Sequence, residues 1–153
     1  LSGWMRELRE NGKYTIDASM QKALSETFAA GWCSEEDTLS TIRRVYEEHK
    51  YLMDPHTAVA QTVYERYAAA TGDRTQTVLL STANPYKFAS DVIGAFEEAK
   101  GDDFANVDRL HALTHMPVPK GISELLGKPE RLMDVCDLDD MPARVLGPVR
   151  SAR

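Results

Sequence analysis

Apolar residues recur at helical spacing through most of the first hundred positions. From Ser19 to Ala30, Met20, Leu24 and Phe28 stand four apart, which stacks them on one face of a helix that Gly31 is expected to end. Ser34-Glu35-Glu36-Asp37 then offers a hydroxyl cap with acids in the first turn, ahead of Leu39, Ile42, Val45 and Tyr46 on one side. Asp54-Pro55 is a second start signal, because Asp caps and Pro is preorganised where its missing N–H costs nothing. The Ala-rich run from Ala58 to Ala70, with Val59, Val63 and Tyr67, continues that helix, and its small residues allow another backbone to approach closely. Thr71-Gly72-Asp73 closes it.

The period then changes. Thr77, Val78, Leu79 and Leu80, bounded by turn formers, predict a strand over about 75–81 that is buried on both faces and needs neighbours to satisfy its edges. Asn84-Pro85 starts a further helix with Phe88, Val92, Ile93 and Phe96, ending near Lys100-Gly101. His111 to Val118, with Pro117 and Pro119, reads as a helix end followed by an extended segment, and Leu132 to Arg153 as loop and tail. The expected fold is mostly α-helical with one or few strands. For a complete α/β domain that inventory is short, since a parallel sheet requires several strands. Either further strands escape the pattern, or they lie upstream in a longer parent chain. No internal repeat or low-complexity segment interrupts the picture.

At 153 residues the chain is long enough for one ordinary domain, so length alone does not mark it as a fragment; the opening Leu1-Ser2-Gly3-Trp4-Met5, with no start methionine, hints that it is one. The 42% apolar and 27% charged composition is that of a soluble globular protein. No stretch is long and apolar enough for a membrane span, and no membrane partner is expected. A net charge of -6 argues against a nucleic acid bound through a broad positive footprint. Arg144, Arg150 and Arg153 give the tail its basic bias, which serves solvation. Cys33 and Cys136 stand far apart, without a CxxC or a nearby His pattern, so both are expected as reduced thiols in the cytoplasm and no metal site is expected.

Two segments carry the candidate chemistry, Asp54-Pro55-His56-Thr57-Ala58-Val59-Ala60 and Leu79-Leu80-Ser81-Thr82-Ala83-Asn84-Pro85-Tyr86-Lys87-Phe88. The second delivers two hydroxyls, Ser81 and Thr82, at the carboxyl end of a strand directly before a helix start. Ligands of open α/β sheets sit outside such strand ends, and free N–H groups there favour anions. Spacing alone favours a plain turn, in which Ser81, Thr82 and Asn84 cap the helix and Lys87 points to solvent. Asp54 with an incidental His56 is likewise an ordinary cap on spacing alone.

Both segments resemble the threonine synthases of the bacterial and fungal type, in which a DPHTAVA-like helix start is followed, some twenty-odd residues on, by S-T-A-H-P-x-K-F. The order and spacing agree, as do Gly12-Lys13-Tyr14, the Ser34-Glu35-Glu36 helix and the Met116-Pro117 region, so the resemblance covers about the first 125 residues. Asn84 departs from it, standing where the family more often has His.

The resemblance implies an α/β parent fold like that of the tryptophan synthase β family, dependent on pyridoxal 5'-phosphate (PLP), with residues 1–125 the C-terminal part of the PLP-enzyme domain and 126–153 an extension, partly loop. The implied reaction converts O-phosphohomoserine and water to threonine and phosphate. Thr82, with Ser81 second, is implied as the hydroxyl meeting the pyridine nitrogen. Asp54, His56, Thr57, Asn84 and Lys87 are implied as the cofactor or substrate neighbourhood, with Lys87 facing a phosphate or lying exposed. No catalytic residue is assigned within this chain. The Schiff-base lysine, its asparagine-bearing segment, the glycine-rich phosphate loop and an S-S-N-F-E-R-like segment all belong upstream in the same polypeptide, so the chain by itself is expected to be inactive. Two other readings compete. One is an independently folded helical interaction module, with Tyr46, Tyr51, Tyr64 and Tyr67 as anchors or core; the other is a small hydrolase using Ser81, His56 and an Asp, which lacks a GxSxG elbow.

Overall fold

Every regular element among the described residues is a helix or a helical turn. The computed structural model describes residues 1–129 and 135–151, and it divides into two compact units, Leu1–Pro117 and Val118–Arg153. In chain order the α-helices are α1 (Ser2–Asn11), α2 (Ala18–Thr27), α3 (Glu35–His49), α4 (Pro55–Thr71), α5 (Ala89–Val92), α6 (Asp103–Thr114), α7 (Lys120–Ser123) and α8 (Met141–Ser151). Short 3-10 turns cover Pro85–Phe88, Ile93–Ala95 and Leu138–Asp140. No described helix is long and apolar enough to cross a membrane.

In the first unit both start signals act as read. Ser34 and Asp37 form a reciprocal capping box at α3, with Ser34 N–H donating to Asp37 Oδ2 at 3.0 Å and Asp37 N–H to Ser34 Oγ at 3.2 Å. Asp54 caps α4, which ends at Gly72 in the left-handed region (φ 72), where a side chain would be strained. The core lies between α3, α4, the 85–96 turns and α6, around Ile42, Val45, Ala58, Val92, Ile93 and Leu110. Thr41 and Thr62 share a hydrogen bond of 2.8 Å across the buried α3–α4 seam, and Arg44 holds both oxygens of Glu65 at its rim.

Four expectations are corrected. The helix expected over Ser19–Ala30 stops at Thr27, because Phe28 turns extended (φ -122, ψ 141), and its apolar face of Met20, Leu24 and Phe28 is exposed. The strand expected over 75–81 does not form. Residues 72–82 run without a ladder, and Val78 and Leu80 are 79% and 77% exposed, because no other strand exists among the described residues to pair with them. The single helix expected from Asn84 to Lys100 is broken into the Pro85–Phe88 turn, α5 and the Ile93–Ala95 turn, since Phe88 leaves helical geometry (φ -127, ψ 36). Finally, Met141–Ser151, expected as part of a loop and tail, is helix α8. Pro142 stands within its first turn, where its fixed φ suits a helix, and the acids Asp139 and Asp140 just precede it. Arg153 and residues 130–134 lie outside the described residues. No described side chain of the second unit is buried.

Candidate functional site

The end of segment 72–82 is tied to the start of α4 by hydrogen bonds centred on one carboxylate. Asp54 is buried at the α4 N-cap, where its Oδ1 accepts from the backbone N–H of His56 at 3.0 Å and of Thr57 at 3.4 Å. The same oxygen meets His56 Nδ1 at 3.1 Å, while Thr57 Oγ1 donates to Oδ2. Burial pushes the Asp54 carboxyl up, but the donors from Thr57 and His56 outweigh it and hold it below the ordinary carboxylate value. It is therefore an anion at neutral pH.

That anion gives direction to a chain of hydroxyls. Thr57 Oγ1 lies 3.2 Å from Ser81 Oγ, and Tyr51 Oη lies 3.2 Å from the same Ser81 oxygen. A carboxylate only accepts and a hydroxyl has one proton to give. With the Thr57 proton committed to Asp54, Ser81 donates to Thr57, and Tyr51 donates to Ser81. Ser81 thus ends with its proton used and one lone pair open. The Thr82 hydroxyl next to it is exposed and takes no part in this chain.

Around this centre the other expected residues fall at different distances from the chemistry. His56 is exposed, with its ring tilted at 58° against Phe88 at 5.1 Å between centroids. Asn84 caps the following turn, its Oδ1 accepting from Tyr86 N–H at 3.0 Å, so the departure from His leaves a working cap. Lys87 is exposed in that turn. A recess of about 230 Å³ opens beside Ser81, lined by Tyr51, Leu52, Asn84, Tyr86, Met116 and Pro117 among others. Its far wall is clamped, since Tyr86 Oη donates to the Met116 carbonyl at 2.6 Å and His111 Nδ1 meets the same oxygen at 2.7 Å. A larger groove of about 530 Å³ lies away from the cluster, between residues 29–32 and the Ala60, Val63, Tyr64 and Tyr67 face of α4; it is mostly apolar and holds no buried titratable group.

The structure brings together Asp54, His56, Thr57 and Ser81. It does not assemble the serine-hydrolase order, because Ser81 reaches Thr57 rather than the imidazole. Among the described residues no group of three His, Cys, Asp or Glu side chains could hold a metal ion. Sequence reasoning missed Tyr51 as a donor to Ser81, and it missed the support of Phe88, Tyr86 and His111. Those contacts span up to 32 residues (56 to 88) and leave no periodic trace.

Comparison with known proteins adds three findings. Residues 57–145 match a family model described as "Threonine synthase, C-terminal". The chain is 39% identical over 100 residues to threonine synthase of Saccharomyces cerevisiae, covering 62% of this chain and 20% of the yeast protein, and 35% identical over 91 residues to threonine synthase-like 1 of Homo sapiens, covering 59% and 12%. It is similar to the crystal structure of PLP-bound threonine synthase from Brucella melitensis, with a TM-score of 0.55 and 30% identity over 70% of this chain and 22% of that one. The chain thus spans about a fifth or less of the length of these relatives.

Proposed function

Because this chain belongs to the threonine synthase C-terminal family, we propose that it supplies one edge of a PLP site in an enzyme that converts O-phosphohomoserine and water to threonine and phosphate. The observation that carries the reading is the pair of hydroxyls at Ser81 and Thr82 at the start of a capped turn, with Ser81 tied to the DPHT segment of α4. PLP, when bound, supplies an electron sink; the protein supplies position and electrostatics.

The residues present fit part of such a group. The Thr82 hydroxyl is free to donate to a ring nitrogen, whereas the Ser81 proton is turned toward Thr57. Thr82 is therefore the group for the pyridine nitrogen, and Ser81 buttresses it. A neutral hydroxyl does not hold that nitrogen protonated, so it tunes the sink down relative to a carboxylate partner. Asp54, His56 and Thr57 border the site from α4, Asn84 shapes the turn, and Lys87 is placed to meet a phosphate as a compact exposed cation.

The Schiff-base lysine and the phosphate loop belong to the upstream part of the same polypeptide. Segment 75–81 completes its pairing as a strand of that part's sheet, covering Val78 and Leu80, and the chain is inactive on its own. The two free thiols suit a cytoplasmic setting.

The test is a chimera in which this chain replaces the matching fifth of the Brucella melitensis enzyme. We expect PLP absorbance and phosphate release from O-phosphohomoserine in the chimera and neither in the chain alone. A specific PLP adduct on Lys87 of the isolated chain, trapped by borohydride, would overturn the reading. Thr82→Val is expected to weaken PLP binding, and Thr57→Val, which frees the Ser81 proton, to restore part of it in the double variant.

A further inference from the structure

The Asp54 carboxylate faces an imidazole as well as the hydroxyl chain, and the pair it makes with His56 resembles a poised acid–base group. Since a carboxylate offers no hydrogen, the one shared between Asp54 Oδ1 and His56 Nδ1 at 3.1 Å belongs to the ring. The neutral imidazole then keeps its lone pair on Nε2, the reverse of the tautomer that a free histidine prefers. The two ends of the pair differ sharply in access, with the Asp54 side chain 0% and the His56 side chain 69% exposed. Asp54 cannot swing toward solvent, because Thr57 and two backbone N–H groups hold it at the helix start. Phe88 supports the ring from one side. An anchored carboxylate that fixes a ring tautomer and leaves the far nitrogen open is the arrangement in which imidazole serves as a general base.

We propose that His56 Nε2 accepts a proton from the water consumed in the reaction, with Asp54 as the positioning residue that fixes its tautomer; this rests on the function proposed above. As the water oxygen forms its bond to a substrate carbon, one water proton would pass to Nε2; PLP, where bound, would supply the sink for the electron pair displaced at that carbon. The Asp54 anion stabilises the imidazolium without taking its proton, which returns to solvent at the end of turnover. The same carboxylate orients Ser81 through Thr57, so base and strand-end hydroxyls are held to one reference point.

Two measurements test this. Two-bond ¹H–¹⁵N correlation on the chain at neutral pH should show His56 mainly as the Nδ1–H tautomer. Asp54→Ser, which keeps a helix cap but removes the carboxylate, should return it to Nε2–H. A dominant Nε2–H form in the unaltered chain overturns the dyad. In the chimera, His56→Gln should lower threonine formation about 100-fold or more while PLP absorbance is unchanged. Activity within twofold of the parent chimera overturns the base assignment. If the parent chimera binds PLP yet forms no threonine, the proposed function falls and the base assignment with it, whereas the tautomer result is independent of both.

Discussion

Replacing Asp54 by Asn separates charge from capping at the centre of the site. Asn caps a helix about as well as Asp, so its Oδ1 keeps the backbone N–H of His56 and Thr57, and what disappears is the anion. Hydrogen bonds to a charged acceptor are worth about 1 kcal/mol more than neutral ones, and the favourable dipole at the α4 start adds roughly 0.3–1 kcal/mol. The Asn amide also confronts the Thr57 hydroxyl with a donor, which forces Thr57 to turn its proton toward Ser81. Relief of a buried charge offsets part of this. The net expectation is a loss of about 1–3 kcal/mol, or a urea midpoint lower by roughly 1 M at an unchanged slope near 2 kcal/mol per M. The pH dependence supplies a second arm. Burial raises the Asp54 pKa and its donors lower it further, leaving the folded value below the unfolded one. Its contribution is therefore fully present above the unfolded value and lost as pH falls through the folded one. The gap between parent and Asp54→Asn should be constant at neutral pH and close in acid. Equal midpoints at pH 7, or a gap that persists undiminished in acid, would refute the reasoning.

Three further outcomes follow from the same kind of proton accounting. Thr62 Oγ1 donates to the Ala58 carbonyl at 2.9 Å, so Thr41 must be the donor in the buried Thr41–Thr62 bond; Thr41→Val should cost about 1 kcal/mol, and Thr62→Val, which strands a buried hydroxyl, up to about 3 kcal/mol by urea unfolding. Tyr86→Phe removes one of two donors from the Met116 carbonyl and should cost about 1 kcal/mol, while adding His111→Ala should cost more than the sum of the single changes in a double-mutant cycle. The Ser34 hydroxyl and backbone N–H, aided by Arg66, hold Asp37 at a pKa of about 2, so its contribution to the α3 start is lost as pH falls from the ordinary 3.8 toward 2. Carboxyl ¹³C titration should show that value, and Ser34→Ala should move it back up.

What the sequence disclosed here was the part governed by neighbours along the chain. Caps at Ser34 and Asp54, the exit at Gly72 and the Asn84-Pro85 start each depend on a few consecutive residues, and each stands where its signal lies. The failures share a different cause. Val78 and Leu80 have strand chemistry, but a strand exists only with a partner, and none lies among the described residues. Helix α8 fell within a stretch read as loop and tail, although its Pro142 stands in a first turn, where proline is tolerated. The candidate site was half legible. Asp54, His56 and Thr57 share one motif, and Ser81 and Thr82 another, yet the bond joining the motifs and the Tyr51 donor behind it depend on how α4 meets the segment after it.

That joint explains why Asp54 matters beyond its own helix. Residues 72–80 have no ladder to fix their register, so the hydroxyls that follow depend for position on Thr57 and Tyr51 below and on the Asn84 cap beyond. Two hydrogen bonds of 3.2 Å are weak constraints singly, at about 1 kcal/mol each. Their effect on Ser81 comes from direction rather than strength, because the anion at one end leaves a single way for the protons to run. If Asp54 is neutralised, the chain can run either way, and Ser81 then presents a proton or a lone pair with similar ease. Order at this edge is thus set by electrostatics, with the polarity of the hydroxyls decided by the Asp54 anion.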